Sequence, residues 1–263
     1  MKKALFIALA MLIAGTTAMA QPKTPQVKNT NQTATFSVSK DDPKAPKADK
    51  KADKSAAKSA DKKGDKKAAK ALDGKMIELP PAEMGLDAPL RLSLDKRRTV
   101  RDLAEEELPQ EMLSSLLWAA YGFNRPDEQK RVVPSAVNAQ EFDIYVFTKE
   151  GIFLYVAEKN ALQMVSEGDH RAEISKQKHF AVAPVSIVMV ANYDRMKMFK
   201  EEETRDFYAA VDAGYVSQDI YLFCAANGLG TVACGGIERE VIQKVIGFEN
   251  GRAILAHPVG FAK

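Results

Sequence analysis

Near residue 75 the chain passes from a stretch with almost nothing to bury into one rich in apolar patterns, and this break confines folding to residues 76–263. Residues 21–75 are mostly Lys, Ala, Asp, Ser, Pro and Thr, with near-repeats such as KADK at Lys47 and KKADK at Lys50. Such a stretch cannot bury enough apolar surface to offset the entropy of ordering it, so a disordered linker is expected. Ahead of it, MKKALFIALAMLIAGTTAMAQ places two lysines before an apolar run from Ala4 to Ala14 and ends on the small-x-small group Ala18-Met19-Ala20. That is the pattern of a signal peptide over residues 1–20, and the run is shorter than the roughly 18 to 20 residues of a membrane span. Neither cysteine, Cys224 or Cys234, lies near the cleavage position to carry a lipid. The expected product is exported, periplasmic or secreted, and begins near Gln21.

Charge divides at the same boundary. The whole chain is +3 with a pI near 8.6. Lys2, Lys3, Lys23 and Lys28, with the 13 Lys and 7 Asp of residues 40–75, supply +10, which leaves residues 76–263 at −7. The basic pI therefore belongs to the linker, and no nucleic-acid partner is expected for the folded part. The linker reads as a solvated spacer, with attachment to anionic envelope polymers or head groups as the second reading.

The 188 residues that remain suit one domain. LPQEMLSSLLWAAYG reads as an amphipathic helix with Pro109 at its start and Gly122 as its stop. EFDIYVFTKEGIFLYVA reads as a hairpin turning at Lys149-Glu150-Gly151, and APVSIVMVANY as a central strand buried on both faces. The longest helical pattern runs from Arg205 to Asn227, with Gly228 as stop; its small residues Ala209, Ala210, Ala213, Gly214 and Ser217 would admit a second helix, within the fold or across a dimer. IEREVIQKVIG gives a helix with Ile237, Val241, Ile242 and Val245 on one side, and RAILAHPVGF a last strand. Elements mix without regular βαβ alternation, so the class is α+β. Cys224 falls in the long helix and Cys234 in the loop after it, and the narrow geometric window of a disulfide disfavours pairing them.

Three motifs bear on chemistry. GLGTVA, at 228–233, formally matches a dinucleotide fingerprint, but a long helix precedes it where a strand is required, so that reading fails. RRTVR would by itself pass for a solvated basic turn. Its composition raises it: Arg97, Arg98 and Arg101 offer planar cationic forks and Thr99 a hydroxyl, the mixture a phosphate monoester dianion takes. VPSAVNAQ is either a surface loop or a site, since its small side chains leave backbone N–H groups accessible and its two side-chain amides can read the edge of a flat heterocycle. CGGI either makes a turn or brings bare backbone close to a ligand. His170, His179 and His257 read as structural or solvated. Residues 161–180 form a polar segment without a recognisable code, the expected place for substrate selection.

The ordered series ELPPAEMG, LSLDKRRTVRDL, LSSLLWAAYGFNR, KRVVPSAVNAQEFDIYVF, GIFLYVAEKNAL, FAVAPVSIVMVA, DAGYVSQDIYLFCAANGLGTVACGGI and AHPVGF closely resembles the nitroreductase family, most of all the branch of SagB-type dehydrogenases and thiazoline or oxazoline oxidases. The resemblance runs from Ile77 to Phe261 and leaves out the linker. It implies a three-layer sandwich with a mostly antiparallel central sheet flanked by helices, an obligate homodimer, and FMN in each of two clefts between the subunits. By the same resemblance Arg97 and Thr99 bind the FMN phosphate and ribityl chain, Arg98 assists, and Arg101 lies near the N1/O2 edge of the ring. Pro134, Ser135, Ala136, Asn138 and Gln140 come from the partner subunit to line the ring, and the backbone of Gly235 and Gly236 faces the N5/O4 side. The implied activity is hydride transfer to or from a small organic substrate, with NAD(P)H as one candidate donor. A chain that keeps the fold only to bind flavin, or as a tethered interaction protein, is the alternative.

Overall fold

The computed structural model describes residues 74–263; the signal-peptide and linker expectations, and the export and envelope contact that rest on them, lie outside the described residues. Within them the chain forms strand β1 (Met76–Glu78), helices α1 (Leu90–Lys96) and α2 (Gln110–Tyr121), a small hairpin β2 (Phe123–Arg125) and β3 (Lys130–Arg131), and strands β4 (Phe142–Phe147), β5 (Gly151–Val156) and β6 (Ala161–Glu167). There follow α3 (His179–Val182), β7 (Val185–Asn192), the 25-residue α4 (Glu202–Ala226), β8 (Leu229–Thr231), α5 (Arg239–Ile246) and β9 (Gly251–Phe261).

Seven strands make one sheet in the order β1-β6-β5-β4-β7-β9-β8, with every neighbouring pair antiparallel. The apolar run expected to be central is β7: all its residues but Asn192 are buried, and it pairs with β4 on one side and β9 on the other. Alternation along it builds two cores. Ile187 and Met189 face Leu116, Leu117 and Ala120 of α2 and Ala213, Val216 and Ile220 of α4. Val188 and Val190 face the opposite way, toward Ile174, Phe180 and the Ile242 and Ile246 side chains of α5. Helices on both faces of an antiparallel sheet give the three layers, and each fully buried leucine or isoleucine in them contributes about 1.5–3 kcal/mol.

The structure refines the sequence reading at several points. Of the small residues of α4, Ala209, Ala213 and Ser217 lie against the sheet, whereas Ala210 and Gly214 look outward, and a Cβ added at Gly214 would meet nothing within 4 Å. Phe207, Val211 and Tyr215, spaced four residues apart on the outward side, are 62%, 41% and 46% exposed. Residues 161–180 are not one polar segment: the first seven are β6, which pairs with β1 and β5. In α5 the inward face is Ile242 and Ile246, with Ile237 ahead of the helix. Both cysteines are free and buried. No helix among the described residues is long and apolar enough to cross a membrane.

Candidate functional site

The cationic knot begins where α1 ends. Arg97 caps that helix, its N–H bonding to Ser93 O, and the chain then runs extended along the edge of the sheet. Val100 N–H bonds to Thr231 O at 2.9 Å, Leu103 bridges Ala262, and Lys263 N–H bonds to Asp102 O at 3.1 Å. This close packing explains one glycine of GLGTVA: a Cβ on Gly230 would lie 2.6 Å from Leu103 Cδ2 and 2.8 Å from Val100 Cγ1. With Val100 and Leu103 anchored, the polar members of RRTVR face outward.

Two clefts open there. One of about 360 Å³ is lined by Lys96, Arg98, Tyr221 and Lys263, and one of about 290 Å³ by Arg101, Lys178, His179 and Lys263. No carboxylate among the described residues pairs with Arg97, Arg98 or Arg101. Guanidinium groups without a carboxylate partner, beside the Thr99 hydroxyl, are the donor mixture that a phosphate monoester takes, and these residues fit one. Tyr221 adjoins them: its hydroxyl lies 3.1 Å from Thr99 Oγ1 and accepts the Ala233 N–H at 2.9 Å, and the Arg97 guanidinium sits 5.3 Å from its ring centre.

Two residues beyond Ala233 come Gly235 and Gly236. Their carbonyls are taken, Gly236 O by Ser175 Oγ at 2.7 Å and Gly235 O by an Arg239 guanidinium nitrogen at 3.1 Å. Their N–H groups have no acceptor among the described residues. Neither glycine has a positive φ, and a Cβ would come no closer than 3.7 Å to Leu255 Cδ2 or Gln177 Nε2. Nothing in this chain's own packing requires glycine at either place, whereas a flat ligand lying on the two free donors would. Arg101 is near: its charge acts on both Cys234 and His179. Burial pushes the Cys234 thiol up, with Arg101 opposing; burial and then Arg101 push His179 down.

The loop after β3 is a tight 3-10 turn with Val137, Asn138 and Gln140 at φ 48°, 56° and 48°. A left-handed conformation at a β-branched residue costs about 1–3 kcal/mol and persists only where contacts hold it. Here Ala136 N–H donates to Asp212 Oδ2 at 2.7 Å, Gln140 N–H to Ser135 Oγ at 2.9 Å, Arg131 Nε to Gln140 Oε1 at 3.0 Å, and Gln140 Nε2 to Gln129 O at 2.7 Å. The side chains of Ser135 and Gln140 are thus engaged in holding the loop, which leaves Pro134, Val137 and Asn138 outward. Glu141 closes the loop with no solvent exposure and no hydrogen-bond partner on either carboxyl oxygen among the described residues. Burial, reinforced by the Asp212 carboxylate, holds its carboxyl well above the usual carboxylate range. Burial likewise raises Asp212.

The site residues expected from the sequence therefore form two groups within one chain. Tyr221 links Thr99 of the knot to Ala233, two residues ahead of Gly235, while Arg98 and Arg101 line neighbouring clefts that both include Lys263. The loop 134–140 is tied to α4 at Asp212, nine residues from Tyr221, or about 13 Å along the helix. Sequence reasoning did not identify Tyr221, Asp212 or Lys178, and it read His179 as structural or solvated. Nor did it find the partners of His257, which is fully buried between Ser217 Oγ at 2.9 Å and Thr231 Oγ1 at 3.0 Å. His170 bonds to Glu173 Oε1 at 2.9 Å.

Comparison with known proteins agrees with this architecture. A nitroreductase of Ralstonia eutropha, known from its crystal structure, superimposes with a TM-score of 0.67 and 31% identity, over 72% of this chain and 90% of that one. The NADPH:FMN oxidoreductase of Vibrio harveyi, solved with NAD+, shares the fold at a TM-score of 0.50 and 17% identity, over 66% of this chain and 69% of that one. A nitroreductase relative from Methanocaldococcus jannaschii is 30% identical over 200 residues, 72% of this chain and 97% of its own length. Residues 94–261 match the profile of the nitroreductase family, and the chain belongs to that family.

Proposed function

We propose that the chain is an FMN-dependent oxidoreductase that acts as a homodimer on a small organic substrate, with NAD(P)H the electron donor to test first. One observation carries this reading: an unpaired guanidinium cluster is joined through Tyr221 to a loop that presents two free backbone N–H groups. Arg97, Arg98 and Thr99 bind the phosphate. Arg101 would lie toward the ring, where a cation would stabilise the charge of its reduced form. The N–H groups of Gly235 and Gly236 orient the opposite edge. Bound FMN supplies hydride transfer through N5.

A second copy of the chain supplies the remaining wall. The outward stripe Phe207, Val211 and Tyr215 on α4 is apolar surface of the kind that dimers bury, and the loop 134–140 is tied to the same helix at Asp212. The residues 1–20 pattern supports export, and the motif series supports the SagB-type branch.

Purified protein should show an oxidised-flavin absorption band that bleaches with dithionite or NAD(P)H under anaerobic conditions and returns with an acceptor. Replacing Arg97 by alanine should weaken FMN binding by about ten- to a hundredfold, as expected for one lost charge-assisted contact, and replacing Thr99 as well should weaken it further. A colourless protein that takes up no added FMN overturns the reading.

A further inference from the structure

We infer that Tyr221 is a positioning residue of this site, whose hydroxyl fixes the spacing between the phosphate-binding knot and the loop that carries Gly235 and Gly236; this rests on the flavin reading above. The ring is held from two sides. The Arg97 guanidinium lies 5.3 Å from its centre, and the buried His257 ring meets it edge-on at 5.4 Å and 82°. The hydroxyl accepts the Ala233 N–H at 2.9 Å and meets Thr99 Oγ1 at 3.1 Å. A phenol carries one hydrogen. An anion at the knot selects the arrangement in which Tyr221 donates that hydrogen to Thr99, because Thr99 then has its own hydrogen free to donate to the anion. The result is a relay of donors, Ala233 N–H to Tyr221 to Thr99 to phosphate, in which each bond polarises the next. Segments 122 and 12 residues from Tyr221 in sequence are thereby set at one separation, the one a molecule spanning both of them requires.

Tyr221→Phe removes the hydroxyl and keeps both ring contacts. In the full chain, titration with FMN and with riboflavin, followed by quenching of flavin fluorescence, should show FMN binding weakened about tenfold, with riboflavin affected much less because it has no phosphate for the knot. Thr99→Val should give a similar selective loss, and the double variant should be no worse than either single one, since both changes break the same relay. Unchanged FMN affinity in Tyr221→Phe, an equal loss for both flavins, or additive losses in the double variant would each overturn the inference. Failure of the unmodified chain to bind either flavin would instead overturn the flavin reading itself, and this inference with it.

Discussion

The buried imidazole of His257 permits a worked prediction. Its two nitrogens meet only neutral hydroxyls, those of Ser217 and Thr231, and burial pushes its pKa from the ordinary 6.5 down to about 3. The folded chain therefore leaves this ring neutral until the pH falls to about 3, whereas the unfolded chain protonates it below 6.5. Between those values the unfolded state binds more protons, so stability rises with pH and is lost on acidification. At pH 5 the unfolded state gains about 2 kcal/mol relative to pH 7.5, because pH 5 lies about 1.5 units below the unfolded pKa and each unit is worth about 1.4 kcal/mol. His257→Gln retains a donor and an acceptor but does not titrate. Urea unfolding of both proteins at pH 7.5 and 5.0 should show the unmodified chain losing about 2 kcal/mol more than the variant, whatever the substitution costs at a single pH. Every other group is common to both proteins and cancels in the difference. Equal acid sensitivity in the two proteins would refute the reasoning.

Three further outcomes are expected. Gly235→Ala should leave the urea midpoint almost unchanged, since its Cβ meets nothing closer than 3.7 Å, yet weaken FMN binding about tenfold; unaltered affinity would remove Gly235 from the ring contacts. Asp212→Ala takes the acceptor from Ala136 N–H and should cost about 1–3 kcal/mol in urea unfolding, with new limited-proteolysis cuts at 134–140; an intact loop would show that the three left-handed residues do not depend on this bond. Phe207→Asp places a charge on the outward stripe of α4 and should shift the protein toward monomer in analytical ultracentrifugation, with loss of bound flavin. A flavin-loaded dimer of that variant would place the interface elsewhere.

Long periodic elements were legible without coordinates. The hairpin β4–β5, the buried strand β7 and helices α2 and α4 each carry their pattern within eight or more residues, because burial on one face or two imposes a period on the chain itself. Short or mixed elements were not. Strand β1 has three residues and α1 exposes Leu90, Leu92 and Leu94, so neither shows a period, and β6 passes for loop because only its first two residues are fully buried.

The site divides in the same way. Guanidinium forks beside a hydroxyl, and paired glycines, are chemistry written in residue type, so RRTVR and CGGI stood out in the sequence. Tyr221 is an ordinary aromatic in a helical pattern until the fold brings it to Thr99, 122 residues away, and Asp212 an ordinary helix carboxylate until Ala136, 76 residues away, donates to it. His257 likewise acquires its meaning from Ser217, 40 residues away, and from complete burial. By itself the sequence determined the main periodic elements and the chemical character of the knot, since periodicity and side-chain type are local properties. Only the tertiary structure decided which hydroxyl, carboxylate and imidazole support them, because hydrogen bonds and desolvation depend on neighbours that chain order does not reveal.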